Sequence, residues 1–201
     1  MPRVGIEALR RQQLIAATMA AIDEVGLADA TVIRIARHAG VSAGIISHYF
    51  GGKDGLLEAT MRQILSDLGA AVARRRAALN HPSPRARLEA IIDGNFDRSQ
   101  VVGPVTKTWL AFWASSMHRP RLQRLQRVND RRLHSNLCHE FRQLMPREAA
   151  RDAARSLAAT IDGLWLRGAL SPEGLDGERS RRLAREHLAR LLDQSPLAPT
   201  A

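Results

Sequence analysis

Apolar residues recur every three to four positions along most of the chain, which is the spacing of one face of an α-helix. Short breaks that contain glycine or proline separate these segments, for example at Gly26, Gly40 and Pro82. The pattern predicts an all-α protein of about nine helices. In chain order, the predicted helices are Ile6–Val25, Thr31–Ala39, Ala43–Phe50, a long helix from Asp54 to about Leu79, Arg85–Arg98, Val101–Met117, Arg121–Met145, Arg147–Leu170 and Glu178–Asp193.

The second and third predicted helices are short and adjacent, as in a helix-turn-helix. Gly40 suits the left-handed residue that ends a helix, and Ser42 is a good N-cap for the helix that follows. Ile46 is expected to pack this helix onto the one before it. The apolar face of the earlier helix consists of Val32, Ile35, Ala36 and Ala39.

The outward side of the helix Ala43–Phe50 is small and weakly polar, which suits an element that approaches base edges in a major groove. Basic residues flank it, and no Asp or Glu occurs between Arg34 and Lys53. We therefore expect this side to face DNA. Its outward residues are predicted to be Ser42, Ala43, Gly44, Ile45, Ser47 and His48.

Two patterns suggest other chemistry but lack the context that it requires. The segment Gly40–Gly44 matches G-x-S-x-G, yet the nucleophile elbow of serine hydrolases follows a strand, and here the preceding residues have helical spacing. His134, Cys138 and His139 could touch one metal ion, but a structural zinc site usually has four ligands. We expect no catalytic site, no metal site and no cofactor.

The 201-residue chain has a net charge of +10, which favours a polyanionic partner. Residues 1–60 hold six basic and six acidic residues, so most of the excess lies elsewhere, and the run Arg74–Arg76 reads as a solvated face. Cys138 is the only cysteine, and the N-terminus lacks an apolar signal region. We expect a cytoplasmic protein without a membrane partner.

Six of the eight aromatic residues lie between Phe96 and Trp165. Aromatic faces beside carboxylates suit an organic cation without N–H donors, such as a quaternary ammonium group. We predict a ligand site for such a cation; the alternative is that these aromatics are ordinary core residues. The candidate ligand-binding residues are Trp109, Phe112, Trp113, Trp165, Asp93, Asp97 and Asp162.

The pattern divides the chain into a DNA-binding domain over residues 1–52, a ligand-binding and dimerisation domain over 53–194, and a flexible tail over 195–201. The long fourth helix would belong to both functional parts. The last two helices carry broad apolar faces that could pair with a second copy as a four-helix interface or bury within one chain. Reading two half-sites with one helix-turn-helix per chain favours a homodimer.

The first 60 residues resemble the TetR family of repressors in Thr31–Ala39, Gly40-Val41-Ser42, His48-Tyr49-Phe50 and Lys53–Leu57. The segments GNFD, KTWLAFWASSMH and IDGLWLRGALS are similar to the choline-responsive members that repress glycine betaine synthesis genes. The resemblance implies a homodimer, a near-palindromic duplex operator and choline as inducer. It also leaves room for a repressor of another pathway, such as drug efflux, that responds to a different organic cation. The DNA contacts that it implies are Ser42, Ala43, Gly44, Ile45, Ser47, His48, Tyr49 and Lys53. We also predict DNA contacts by Thr31 and Arg34, at the start of the earlier helix.

Overall fold

The computed structural model describes residues 3–80 and 82–193 of the chain. Over these residues it contains nine helices and no strand, and the predicted all-α fold is confirmed. The predicted tail, 195–201, lies outside the described residues. The helices are α1 Arg3–Asp29, α2 Val32–His38, α3 Ala43–Phe50, α4 Lys53–Ala77, α5 Pro84–Asn95, α6 Gly103–Ser116, α7 Pro120–Phe141, α8 Arg147–Ala169 and α9 Gly177–Asp193.

The helix boundaries follow local backbone chemistry. Ser83 caps α5 by accepting a hydrogen bond from the Ala86 N–H at 3.1 Å, and Pro84 occupies the first turn, where its missing N–H costs nothing. Proline also begins α7 at Pro120 and precedes α8 at Pro146. These three starts agree with the sequence pattern to within one residue.

The main boundary error concerns α1, which was predicted to end before Gly26. The helix continues to Asp29, and Gly26 forms a kink inside it with φ 74° and ψ 168°. Only glycine adopts this region without strain, so Gly26 bends the chain and lets helical structure resume. The last turn then delivers the chain directly to the start of α2.

The described residues form two compact units. Unit 1 comprises the chain up to Ser66 together with Gly103–Gln126, and unit 2 comprises Asp67–Val102 together with the chain from Arg127 onward. Helix α6 therefore belongs to the same unit as α1, α2 and α3. The functional division at residues 52 and 53 remains a prediction.

Unit 1 is built on α1, which packs against both α2 and α6, while α2 packs against α3. Its core is aliphatic: Leu14, Ile35, Ile46 and Leu56 are fully buried. The hydroxyl of buried Thr18 donates to the Leu14 carbonyl at 2.7 Å, so burial leaves it hydrogen-bonded. Burial of Ile46 fixes which side of α3 faces inward.

Unit 2 contains a buried carboxylate, Glu140 of α7, which is fully enclosed. Arg76 of α4 lies 2.9 Å from one of its oxygens, and Arg87 of α5 lies 2.6 Å from the other. Gln143 donates to the same carboxylate at 3.0 Å. The network joins three helices, and it shows that the run Arg74–Arg76 is only partly the solvated face that we expected.

The corner between α3 and α4 depends on three glycines. Gly51 and Gly52 both have positive φ, 70° and 116°, so each needs the freedom of a residue without Cβ. A Cβ on Gly55 would lie 1.9 Å from the carbonyl oxygen of Phe50. The first turn of α4 therefore packs directly against the backbone at the end of α3.

We expect Gly55→Ala to destabilise the protein by about 2 kcal/mol or more, because the new methyl group can be accommodated only if the α3–α4 backbone moves. Urea unfolding monitored by circular dichroism measures the change. Gly44→Ala is the matched control, since a Cβ there meets no atom within 4 Å and alanine favours helix. Equal stability of the two variants would refute the close contact.

Glu140→Gln should lower the free energy of unfolding by about 3 kcal/mol, because it leaves two arginines without their buried counter-charge. Glu89→Gln removes an exposed carboxylate paired with Arg85 and should change the same free energy by less than about 1 kcal/mol. Both values come from chemical denaturation at neutral pH. A similar small effect at both positions would contradict a structural role for Glu140.

Candidate DNA-binding surface and aromatic clusters

The turn between α2 and α3 is a hydrogen-bonded helix end. The Val41 N–H donates to the Ala36 carbonyl at 3.0 Å, and the Gly40 N–H donates to the Arg37 carbonyl at 3.1 Å. With Gly40 at φ 63°, this is the pairing of a Schellman motif. The turn is therefore defined by backbone hydrogen bonds and fixes how α3 leaves α2.

A side-chain cap is present at the start of α2 but not at the start of α3. The Thr31 hydroxyl accepts a hydrogen bond from the Arg34 N–H at 3.2 Å and caps α2. Ser42 occupies the N-cap position of α3 with extended backbone, as predicted, but its side chain makes no capping hydrogen bond. The exposed Ser42 hydroxyl is thus available to an external partner.

Helix α3 presents two different sides. Ile46 is buried in the unit 1 core. The side chains of Ala43, Ile45 and Tyr49 are partly buried and pack against this core. The remaining predicted contacts on and beside this helix are exposed: Ser42, Gly44, Ser47 and His48. The exposed side carries small and weakly polar groups, as the sequence pattern predicted.

The segment between Arg34 and Lys53 contains no Asp or Glu, but an acidic residue from another helix lies beside it in the fold. Glu24 of α1 lies 3.6 Å from the Arg34 guanidinium and 2.8 Å from the His38 ring. These pairs are partly exposed, so their contribution to stability is small. They do partly neutralise the positive charge beside α2, and a phosphate would compete with Glu24 for Arg34.

Lys53 turns toward the protein backbone. Its ammonium group donates to the Leu27 carbonyl at 3.1 Å. Desolvation, and after it the positive charge of Arg119, lowers the pKa of Lys53 below its ordinary value. The ammonium has two further N–H donors, so a phosphate contact by Lys53 can form beside its hydrogen bond to Leu27.

Helix α6 carries an aromatic cluster within unit 1. The ring of Trp109 lies 5.9 Å from that of Phe112, edge to face, and 5.9 Å from that of Trp113. Trp109 and Phe112 are buried, whereas Trp113 is half-buried. Among these three rings, Trp113 has the most surface open to a ligand.

A small cavity lies next to this cluster in unit 1, lined by Phe112, Met61 and Leu122 among others. Its volume is about 10 Å³, which is room for one water-sized molecule. A quaternary ammonium compound does not fit this space as it stands. Ligand entry there would require the side chains to move.

Unit 2 holds a second aromatic pair. Trp165 of α8 stacks on Phe96 with ring centroids 6.5 Å apart, and its indole N–H donates to the Asn95 carbonyl at 3.2 Å. Asp93 of α5 lies 2.5 Å from Arg185 through one oxygen, while its other oxygen is buried without a hydrogen-bond partner. A half-satisfied carboxylate of this kind retains capacity for a cation.

The other two predicted carboxylates have different surroundings. Desolvation alone would raise the pKa of Asp97, but hydrogen bonds from Ser99 and Arg75 outweigh it and hold that pKa below its usual value. Asp97 is thereby used in shaping the loop after α5. Desolvation, and after it the negative charge of Asp130, raises the pKa of Asp162 to about 6.

Two further observations concern the described part of the chain. Buried Cys138 contacts His134 at 3.5 Å, and residues 3–80 and 82–193 contain no group of three His, Cys, Asp or Glu arranged to hold a metal ion. In the same ranges, no helix combines the length and hydrophobicity needed to cross a bilayer.

The sequence pattern did not identify two residues that shape these sites. Glu24 lies seven residues before the DNA-binding segment, and the packing of α1 on α2 places it beside Arg34 and His38. Phe96, directly after α5, stacks on Trp165 of α8, which is 69 positions later in the chain. Helical spacing predicts which residues are neighbours on one helix, but it does not predict contacts between different helices.

Together, the hydrogen-bonded turn, the buried side of α3 and its exposed small-residue side define a helix-turn-helix regulator. Residues 14–60 match the family model of bacterial regulatory proteins of the tetR family, and residues 84–193 match that of the C-terminal region of BetI-type transcriptional repressors. The chain belongs to the TetR family and, within it, to the BetI-type repressors. It is a transcriptional regulator and not an enzyme.

Named relatives agree with this assignment. The chain is 74% identical to HTH-type transcriptional regulator BetI 2 of Chromohalobacter salexigens, over 96% of this chain and 93% of that protein. It is 65% identical to BetI of Ectopseudomonas mendocina, over 94% and 96% of the two chains.

Solved structures share the fold at lower identity. A transcriptional regulator from Rhodococcus sp. Rha1 superposes with a TM-score of 0.80 at 24% identity, covering 94% of this chain and 99% of that one. A regulator from Saccharomonospora viridis, solved in complex with choline, has a TM-score of 0.78 at 18% identity, over 90% and 96% of the chains.

Proposed function

We propose that this repressor controls genes for choline uptake and glycine betaine synthesis and leaves its operator when choline binds. The observation that carries the proposal is the BetI-type match over residues 84–193, because the C-terminal half varies most among TetR-like regulators. The 74% identity to a BetI protein over nearly the whole chain supports it.

DNA recognition is assigned to the exposed side of α3. Ser47 and His48 reach the base edges. Thr31 and Arg34, at the start of α2, contact the DNA phosphate backbone on either side of those bases. Two copies bind half-sites about one helical turn apart, so the operator is near-palindromic. Leu166 on α8 is 44% exposed and Leu170, directly after this helix, is 68% exposed, which supports pairing of the two chains through the C-terminal helices.

Choline is assigned to the aromatic and acidic residues because its trimethylammonium group offers no N–H for hydrogen bonding. Aromatic faces and a carboxylate then provide the attraction. Each unit offers its own candidate site. In unit 1 the strongest candidate is Trp113, the most accessible α6 ring, and in unit 2 it is Asp93, which has an unpaired oxygen. Asp97 is the weakest, because Ser99 and Arg75 already satisfy it.

Release from DNA requires choline to bind one conformation better than another. A ligand shifts the equilibrium only by its difference in affinity between the two states. We propose that choline favours a state in which the two recognition helices no longer match the half-site spacing.

The DNA assignment predicts two distinct mutant classes. Ser47→Ala should change base preference in a selection from random duplexes, because Ser47 faces the bases. Lys53→Gln should weaken binding to all sequences alike and reduce the slope of log affinity against log salt by about one, because it removes a phosphate contact. Fluorescence anisotropy measures both. Arg85→Gln, an exposed change on α5, is the control. Unchanged binding by both test variants would refute the assigned surface.

The choline assignment predicts a change in tryptophan emission at or below millimolar choline. Trp113→Phe tests the candidate site in unit 1 and Asp93→Asn the one in unit 2, and the variant at the site that choline occupies should weaken the apparent affinity by about tenfold. Glu7→Gln, an exposed change on α1, should leave it unchanged. A thermal-shift panel comparing quaternary ammonium compounds with hydrophobic drugs identifies the inducer class. Stabilisation by the drugs alone would indicate a repressor of another pathway.

A further inference from the structure

Arg11 of α1 contacts the C-terminal end of the recognition helix α3. Its guanidinium donates to the Tyr49 carbonyl at 2.8 Å and lies 4.5 Å from the centroid of the Phe50 ring. Both contacts are long-range in sequence, 38 and 39 positions apart, and both lie within unit 1. A basic residue that precedes the DNA-binding segment is therefore directed at protein backbone.

The end of a helix explains why this contact matters. The last carbonyls of α3 have no partner within the helix, and they form the negative end of its dipole. The Gly51 N–H satisfies the Ser47 carbonyl at 2.9 Å, and Arg11 satisfies the Tyr49 carbonyl. A cation at this end is favourable on charge as well as on hydrogen bonding.

The chemistry of arginine suits this position. A planar guanidinium can donate a hydrogen bond from its edge while its face lies over an aromatic ring. A lysine ammonium on the same helix would keep the charge and lose this combined geometry. The contact thus ties the direction of α3 to α1 in a way that charge alone does not reproduce.

We propose that Arg11 is a positioning residue for operator recognition: it orients α3 through Tyr49 and Phe50 and makes no phosphate contact. The inference rests on the DNA-binding role of α3. It separates Arg11 from its neighbour Arg10, whose side chain donates to Gln13 along its own helix at 3.0 Å.

The test compares Arg11→Lys, Arg11→Gln and the control Arg10→Gln on two DNAs. One is an operator that the wild-type protein selects from a random duplex library, and the other is a scrambled duplex of the same composition. Anisotropy titrations at several salt concentrations give the affinities, the operator-to-scrambled ratio and the salt slope.

A positioning role predicts that both Arg11 variants lower the operator-to-scrambled ratio about tenfold, comparable to losing one hydrogen bond to a charged group. The salt slope should stay at the wild-type value, since no phosphate contact is lost. Phe50→Leu, which removes the ring but leaves the hydrogen bond, should lower the ratio less, and its effect should not add to that of Arg11→Lys.

Several outcomes would overturn the inference. One such outcome is that Arg11→Lys binds the operator with wild-type affinity while Arg11→Gln lowers the slope of log affinity against log salt by about one. That result would assign Arg11 to a phosphate contact. A general loss of folding would lower binding to both DNAs by the same factor and would also contradict it. If the wild-type protein selects no operator, the DNA-binding assignment itself fails, whereas an unchanged ratio in the variants removes only the role of Arg11.

Discussion

The recognition helix is held to the protein along one side by apolar burial, and the rest of the DNA-binding surface depends on that attachment. Ile46 is fully enclosed in the core that contains Ile35 and Ala36. Eight residues form only about two turns of helix, too few to be stable alone, so the packing of this side chain and its neighbours determines whether α3 exists. The side opposite Ile46 is then free to carry small polar groups that contribute nothing to folding.

Charge is arranged less simply than the net value of +10 suggests. Three basic residues near the recognition helix interact with the protein: Arg34 with Glu24, Lys53 with the Leu27 carbonyl, and Arg11 with the Tyr49 carbonyl. Each of these contacts orients a helix end or a helix start. The overall positive field can attract DNA at a distance, while each of these three cations near α3 also has a partner within the protein.

Much of the fold could be predicted from the sequence because helical spacing is a local signal. The bounds of α3 were predicted correctly, since Ser42 and Gly51, residue types that favour helix starts and helix ends, flank it. The path of α1 past Gly26 was not, because a positive-φ glycine can end a helix or kink it, and packing decides which. Contacts such as Arg76 with Glu140 join residues 64 positions apart, and no periodicity encodes them.

Because helical spacing is a local signal, the role of the α6 aromatic residues was harder to predict than the role of α3. Trp109 and Phe112 are buried in unit 1, so they are core residues whatever else they do. Helix α6 packs on α1, and the Lys107 ammonium contacts Asp23 of α1 at 2.8 Å through both its carboxylate and its carbonyl. A ligand that contacts Trp113 would act on a helix three packing contacts from α3, by way of α1 and α2. Coupling between ligand and DNA therefore needs no long route within unit 1; it needs an α6 with two stable positions.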